Sequence, residues 1–340
     1  MVQKDSEISE LDGVYRLRIE IPFDVKFVCV FLFELEGKRI LIDAGLNILP
    51  WKKKFLSLLK QINVKIEDID YCIITHEHLD HNGLLKFIKR KNPYINILMH
   101  EFTNYSLNFS ADPEKYAQME ENAKKFATLF NSYGMEQKYI QPILSWFLQW
   151  PKIVRYQQPD VILKDDDEVS IGSSKLRIIW TPGHSIGHIC VFNEKNSHLF
   201  SGDHILSRIT PHIGQYHMLS LFDSKYICPN ILKSYLNSLD KIERLNPKLI
   251  FPAHQEIIEN PLERIADIKK HHQRRFQEIS KLIKNNPLTP FEISQIHFGN
   301  NLDNMNKYLA INEILSHLIY LEQENKVNRI CKNGKILFTS

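Results

Sequence analysis

Cysteine is scarce in this chain. Five residues (Cys29, Cys72, Cys190, Cys228 and Cys331) are spread over 340 positions. An odd number at wide spacing is not a disulfide framework, and no pair has the spacing of a thiolate metal cluster. Three of them sit inside apolar, strand-like runs and read as reduced, buried small hydrophobes, which points to a cytosolic protein. Long apolar runs are lacking as well. None is long enough to span a bilayer, and no basic-then-apolar leader opens the chain, so neither a membrane partner nor export is expected. Charge of one sign is also missing. The net charge of +3 says little about a polyanionic partner. What remains is an ordinary globular composition, 43% hydrophobic and 24% charged, long enough for one large or two ordinary domains.

Histidine is what stands out. Thr75-His76-Glu77-His78-Leu79-Asp80-His81 is followed by Thr181-Pro182-Gly183-His184, Ser201-Gly202-Asp203 and Pro252-Ala253-His254. Each group follows an apolar run: Tyr71–Ile74, Leu176–Trp180, Leu199-Phe200 and Leu249–Phe251. The pattern places imidazoles and carboxylates on loops at the ends of buried strands, where a rigid sheet can hold a site open. His76, His78, Asp80, His81, His184, Asp203 and His254 are the candidate metal ligands. Imidazole with carboxylate and no thiolate suits zinc, manganese or iron.

In this order, and over about the first three-quarters of the chain, the groups resemble the metallo-β-lactamase superfamily. His76, His78, Asp80 and His81 carry its H-x-H-x-D-H segment. Asp43, in Leu41-Ile42-Asp43-Ala44-Gly45, resembles the family's early strand-end Asp, although Thr is more usual where Ala44 stands. The resemblance implies two divalent ions, most often zinc. His76, His78 and His184 would hold one and Asp80, His81 and His254 the other, with Asp203 bridging them. Asp80 would also orient a metal-bridging hydroxide, and Asp43 would accept a hydrogen bond from a ligand imidazole and fix its tautomer. His188 is expected to be structural, and His204 either structural or a support to a ligand side chain. His100, His271, His272, His297 and His317 have no motif context.

Strand and helix signals organise the rest. Val14–Ile42 reads as adjacent strands with a hairpin turn at Glu36-Gly37-Lys38. Helices are expected at 55–62, 83–91 and 233–245, and strands at 71–75, 178–180, 188–192, 199–200 and 249–251. The fold class is α+β, and the resemblance implies a four-layer αβ/βα sandwich over residues 1–260. Within it, strand signals vanish over a helical insertion at about 101–156, rich in aromatics that include Trp146 and Trp150. These form a simple core or a lid over an apolar acyl substrate. His212 and Tyr216, in the loop after Asp203, are further candidates for substrate contact.

Residues 261–340 change character. Three helices are expected at 261–286, 290–297 and 305–324. Two strand-like runs then flank Asn333-Gly334, a strong hairpin signal. The outline is winged-helix-like and is similar to the C-terminal domain of the lactamase-beta-2-like branch. The segment carries 12 Lys+Arg against 8 Asp+Glu. Such a unit either contacts nucleic acid through its third helix and wing, or is a packing module that covers a catalytic domain or supports a homodimer. The modest excess of four favours packing.

Three classes of function follow. The foremost is hydrolysis of a thioester, ester or lactone of a hydrophobic acyl substrate, as in glyoxalase II-like and lactonase relatives. The alternative is a metal-dependent phosphodiesterase or ribonuclease that uses the C-terminal domain on nucleic acid. A redox or binding role is third. Flavodiiron relatives have Glu where His78 stands and add a flavin domain, and this sequence shows neither change.

Overall fold

Two β-sheets form the frame that carries the histidines. The computed structural model describes residues 6–23, 25–108, 113–153, 155–214 and 228–340, without the side chains of 113–120 and 150–152. The first sheet has seven strands in the order of the sequence. They are β1 (Ile8–Leu11), β2 (Val14–Glu20), β3 (Phe27–Leu35), β4 (Lys38–Ile42), β5 (Tyr71–Ile74), β6 (Asn96–His100) and β7 (Val161–Leu163). β1 to β4 run antiparallel, and β4 to β7 pair in parallel. The parallel pairs need crossovers. α1 (Leu49–Gln61) supplies the first and buries Trp51, Phe55, Leu58 and Leu59. α2 (Leu79–Asn82) and α3 (Leu85–Lys91) supply the second. α4 (Glu101–Asn108) follows β6.

The second sheet has five strands in the order β12-β11-β10-β9-β8. These are β8 (Glu168–Ile171), β9 (Ser174–Trp180), β10 (Ile189–Asn193), β11 (His198–Gly202) and β12 (Leu249–Pro252). β11 and β12 are parallel and the other pairs antiparallel. One apolar cluster joins the two sheets, with Phe31, Phe33, Ile42 and Ile73 from the first and Ile178, Val191, Phe200 and Phe251 from the second. The Phe33 and Phe200 rings stack at 4.9 Å, and Phe31 meets Phe251 edge-on at 5.6 Å. Each such ring pair adds about 0.5–1.5 kcal/mol beyond the area it buries.

Alternation explains the inner faces. Phe31 and Phe33, two apart on β3, point into the core, because successive side chains on a strand face opposite ways. β6, β7 and β8, which the sequence patterning left unassigned, are short. At three to five residues they offer too few positions for a period to show.

The chain divides into two compact units that are discontinuous in sequence. Both sheets lie in the first, Met1–Asn108, Val154–Pro211 and Ser238–Ile265. The second is Phe109–Ile153, His212–Asn237 and Ala266–Ser340. Thus the helical insertion groups with the C-terminal segment.

The second unit contains α5 (Pro113–Ser132) and α6 (Gln137–Ile153). α7 (Ile231–Leu245) and α8 (Pro261–Ile283) contribute parts of their length. α9 (Pro290–Phe298), α10 (Asn304–Gln323) and the hairpin β13 (Asn328–Lys332) and β14 (Lys335–Thr339) complete it. Its core joins Phe126, Phe130, Met135 and Ile143 of the insertion to Phe291, Ile311 and Leu315. These insertion aromatics are therefore core residues. α9 begins with a capping box, in which Thr289 and Glu292 satisfy each other's backbone N–H groups. The hairpin turns at Asn333 (φ 52°) and Gly334 (φ 71°), two left-handed residues as an Asn-Gly turn requires. Among the described residues, no helix is long and apolar enough to cross a membrane.

Candidate metal centre

All seven candidate ligands come together at one edge of the first unit. The topology explains why. β4 and β5 are parallel neighbours, so Asp43 and Thr75, which follow them, emerge side by side. β11 and β12 are parallel neighbours too, which sets Asp203 beside His254. β9 runs in the direction of β11 and delivers the turn that carries His184. α2 carries Asp80 and His81, and His78 is the residue just before it.

Two clusters form within this edge. In the first, His78 Nδ1 lies 3.0 Å from His76 Nε2 and 3.0 Å from His184 Nε2. In the second, His254 Nε2 lies 3.5 Å from Asp80 Oδ2, and His81 Nε2 lies 3.8 Å from the same oxygen. Asp203 Oδ2 stands between the clusters, 3.3 Å from His184 Nε2, 3.4 Å from His254 Nε2 and 3.7 Å from His81 Nε2. The groups His76–His78–His184, His76–His81–Asp203 and Asp80–His81–His254 each bring their ligand atoms within 4.8 Å of one another.

The surroundings fix which ring nitrogen is free. Asp43 Oδ2 takes the Nδ1 proton of His81 at 2.8 Å, so that His81 Nε2 is the nitrogen whose lone pair a cation would take in place of a proton. Thr75 Oγ1 has one proton, and it goes to the Asp43 carboxylate at 2.9–3.0 Å. The hydroxyl then accepts from His76 Nδ1 at 3.0 Å, so His76 Nε2 is also a lone-pair nitrogen. His254 Nδ1 donates to the Phe27 carbonyl at 2.6 Å and likewise frees Nε2. Asp43 holds this position with a φ of 64°, a left-handed conformation that aspartate tolerates better than most residues.

The electrostatics agree with cation binding. Burial and the surrounding imidazoles hold His76 far below the usual histidine range, and His78 is lowered to about 3 by burial and His184. These two rings resist protons and keep lone pairs. Burial alone would lower His81, but the carboxylates of Asp80, Asp203 and Asp43 outweigh it and raise the ring to about 9. For Asp80, burial opposes ionisation, yet His81 and His254 win and lower it to about 2. Asp203 is shifted the same way by His254 and His81. Buried carboxylates that stay ionised amid imidazoles suit a divalent cation. Two orphaned buried atoms sharpen the fit, because His81 Nε2 and Asp203 Oδ1 have no hydrogen-bond partner. Buried polar atoms are rarely left so, and His81 Nε2 lies beside the Asp80 and Asp203 carboxylates. The donor set is nitrogen and oxygen only, which fits zinc, manganese or iron.

His188 lies among these rings and is used differently. It is fully buried, its Nδ1–H donates to Thr181 Oγ1 at 2.8 Å and its Nε2 accepts from Asp203 N at 3.0 Å. Both nitrogens are thus engaged, and the ring aims the Asp203 backbone. Gly202, at φ 48°, permits this approach, since a β-carbon there would lie 2.6 Å from His188 Nε2. His204 is fully buried and belongs to none of the ligand groups.

The remaining candidates are placed as follows. His212 belongs to the second unit, where its Nε2 donates to the Leu309 carbonyl at 2.9 Å. Trp146 is on α6 of the same unit, 41% exposed and edge-on to Phe147. Tyr216 and the Trp150 side chain lie outside the described residues. Sequence patterning missed Thr75, Glu77, Asn82 and Ser185, all buried at the metal edge. Thr75 and Glu77 lie inside the histidine motif, and their roles depend on partners distant in sequence.

Comparisons with known proteins agree with this geometry. Residues 24–254 match the family model "Metallo-beta-lactamase superfamily", and residues 276–340 match "Metallo-beta-lactamase-like, C-terminal domain". The probable metallo-hydrolase YqjP of Bacillus subtilis is 24% identical, over 96% of this chain and 98% of that protein. An atrochrysone carboxyl ACP thioesterase of Aspergillus fumigatus is 21% identical, over 73% of this chain and 57% of its own length. Among solved structures, a metallo-beta-lactamase family protein of Thermus thermophilus is 26% identical with a TM-score of 0.77, covering 97% of this chain and 99% of that one. With two matched models, an α+β sandwich and a His/Asp cluster at its edge, the chain belongs to the metallo-beta-lactamase superfamily and carries that superfamily's C-terminal domain as well.

Proposed function

We propose that this protein is a dinuclear metal-dependent hydrolase acting on a thioester, ester or lactone with a hydrophobic acyl group. The observation that carries the reading is the position of Asp203. Its Oδ2 lies within 3.3–3.7 Å of a ring nitrogen from each ligand cluster, where it could be shared between two cations. His76, His78 and His184 would hold one ion and Asp80, His81 and His254 the other.

Two such ions would lower the pKa of a shared water to about 7 and polarise the substrate oxygen. The protein's own groups do the rest. Asp43 and Thr75 fix the tautomers of one ring in each cluster. His188 holds the Asp203 backbone, and burial of the cluster limits the access of water. Asp80 is the catalytic candidate and would orient the nucleophile. No serine or cysteine nucleophile is needed, and Cys29, Cys72 and Cys190 are buried with thiols pushed up by burial.

The acyl class is supported by the Aspergillus relative, a carboxyl ACP thioesterase. The nucleic-acid reading draws less support. α10, in the place of a recognition helix, is buried along most of its length, including Ile311, Ile314, Leu315 and Leu318. Arg329 on the hairpin is already paired with Glu322 at 2.7 Å.

The test is a hydrolysis panel on metal-analysed protein. Acyl thioesters and lactones of increasing chain length are compared with single-stranded RNA, before and after chelation. Turnover of acyl substrates that is lost on chelation and restored by zinc, manganese or iron is expected. Metal-dependent RNA cleavage with no acyl turnover at any length would overturn the proposal.

A further inference from the structure

Between the two ligand imidazoles of the H-x-H loop stands a residue that the chemistry above does not use. Glu77 is 8% exposed, and its carboxylate accepts the hydroxyl proton of Ser185, a residue that is fully buried. The two are 108 positions apart and come from different sheets' loops. Ser185 directly follows His184, so the contact links the loop carrying His76 and His78 to the turn carrying the third imidazole.

The surrounding hydrogen bonds make the link stiff. The Ser185 hydroxyl accepts from Gly187 N at 3.2 Å, and its single proton goes to Glu77. The Ser185 carbonyl takes the N–H of Gly183 at 3.2 Å and that of His188 at 3.4 Å, so the His184 turn closes around this residue. On the other loop, Asn82 Nδ2 donates to the carbonyls of Glu77 at 2.6 Å and His78 at 2.7 Å. Glu77 is therefore held at backbone and side chain. A buried carboxylate is costly to place. An apolar pair of similar size would fill the space but would not fix one geometry, whereas a charge-assisted hydrogen bond is short and directional.

We propose that Glu77 and Ser185 are a positioning pair, which sets the distance between the His76–His78 loop and the His184 turn and so tunes how tightly the three-imidazole group holds its cation. The inference rests on the metal-site reading above. The pair touches neither cation nor substrate. It acts through His76, His78 and His184, whose ligand nitrogens lie 3.0 Å apart in consecutive pairs.

The experiment is a titration of metal-free, full-length protein with Co(II), read by its visible absorption and by competition with a chelating dye. Parent, Ser185→Ala, Ser185→Thr, Glu77→Gln and the double variant Glu77→Gln/Ser185→Ala are compared, each checked for folding by circular dichroism. Outer-shell partners of ligands are typically worth roughly ten- to hundredfold in metal affinity. Ser185→Ala and Glu77→Gln should each lose about that factor and change the Co(II) band. The double variant should lose no more than the worse single one, since the same contact is weakened in Glu77→Gln and broken in the other two. Ser185→Thr keeps the hydroxyl and should restore affinity and spectrum. Near-isosteric Glu77→Gln keeps the test available if Ser185→Ala does not fold. Parent-like affinity and spectrum in Glu77→Gln or Ser185→Ala, or losses that add in the double variant, would overturn the pair while the metal site stands. A parent chain that binds no Co(II) would defeat the metal-site reading and the pair together.

Discussion

Asp43 and His81 share a hydrogen bond of 2.8 Å between Oδ2 and Nδ1, and both side chains are shut off from solvent. The same carboxylate takes the Thr75 hydroxyl proton, and through it orients His76. One acid thus sets a ring in each ligand cluster. In Asp43→Asn an NH₂ group replaces one of two acceptor oxygens, so His81 and Thr75 can no longer both be served. Metal affinity should fall roughly ten- to hundredfold, with a smaller effect on global stability. Competition titration on the metal-free protein checks this, and parent-like affinity would count against the role.

Asp203 and His188 touch, but their loss should differ in kind. Asp203→Ala removes the oxygen common to the two clusters, so activity and occupancy of the second ion should collapse together. His188→Ala strips two buried partners, Thr181 Oγ1 and Asp203 N, and should cost about 1–3 kcal/mol of stability for each group left unsatisfied. At temperatures where it is folded, metal content should stay near the parent value. Elemental analysis beside thermal unfolding separates the cases, and equal metal loss in both variants would show that His188 is a ligand.

The core of the second unit should respond to a change in the insertion. Phe130 is fully buried, stacked on Phe126 at 4.2 Å and packed beside Tyr308 at 5.5 Å. Phe130→Ala should cost about 3–5 kcal/mol, measured by denaturant unfolding. A cost under about 1 kcal/mol, within the range of ordinary surface substitutions, would mean that the insertion does not share a core with the C-terminal helices.

Acid should weaken the same unit through a buried histidine pair. His272 Nδ1 donates to His317 Nε2 at 3.1 Å, and His317 Nδ1 donates to the Glu313 carbonyl at 2.8 Å. Burial, with the charges of His271 and Arg275, lowers His272 to about 3, and burial and His272 depress His317 as well. Between that range and about 6.5, the unfolded-chain value, the unfolded state binds more protons than the native one. Stability contributed by the neutral pair is present above about 6.5 and is lost as pH falls. The melting temperature should drop from pH 6.5 toward pH 4, and His317→Gln should flatten that slope. An unchanged slope in the variant would assign the loss to carboxylates alone.

Much of the metal edge was legible because its residues are few, chemically distinctive and ordered along the chain. His76, His78, His184 and His254 each follow an apolar strand, and the end of a strand is a readable position. The Asn333-Gly334 hairpin was legible for a similar reason, as local chemistry fixes it. Pairings across long separations were not. Nothing in Glu77 or Ser185 alone announces a contact across 108 residues, and Thr75 looks like any strand-end threonine. The insertion marks the same boundary. The spacing of Phe126, Phe130 and Ile143 shows that a face is buried, but not that Phe291 and Leu315 bury it.

The single turn of α2 has one more consequence. His78 stands at its N-terminus and belongs to one cluster, while Asp80 and His81 belong to the other, and His81 N bonds the His78 carbonyl at 3.0 Å. Ligands of both clusters are therefore carried on one rigid peptide segment. A cation that tightens either cluster stiffens the segment for its neighbour, and ordering already achieved need not be repeated. Uptake of the two ions should accordingly be cooperative, with singly loaded protein scarce at half saturation.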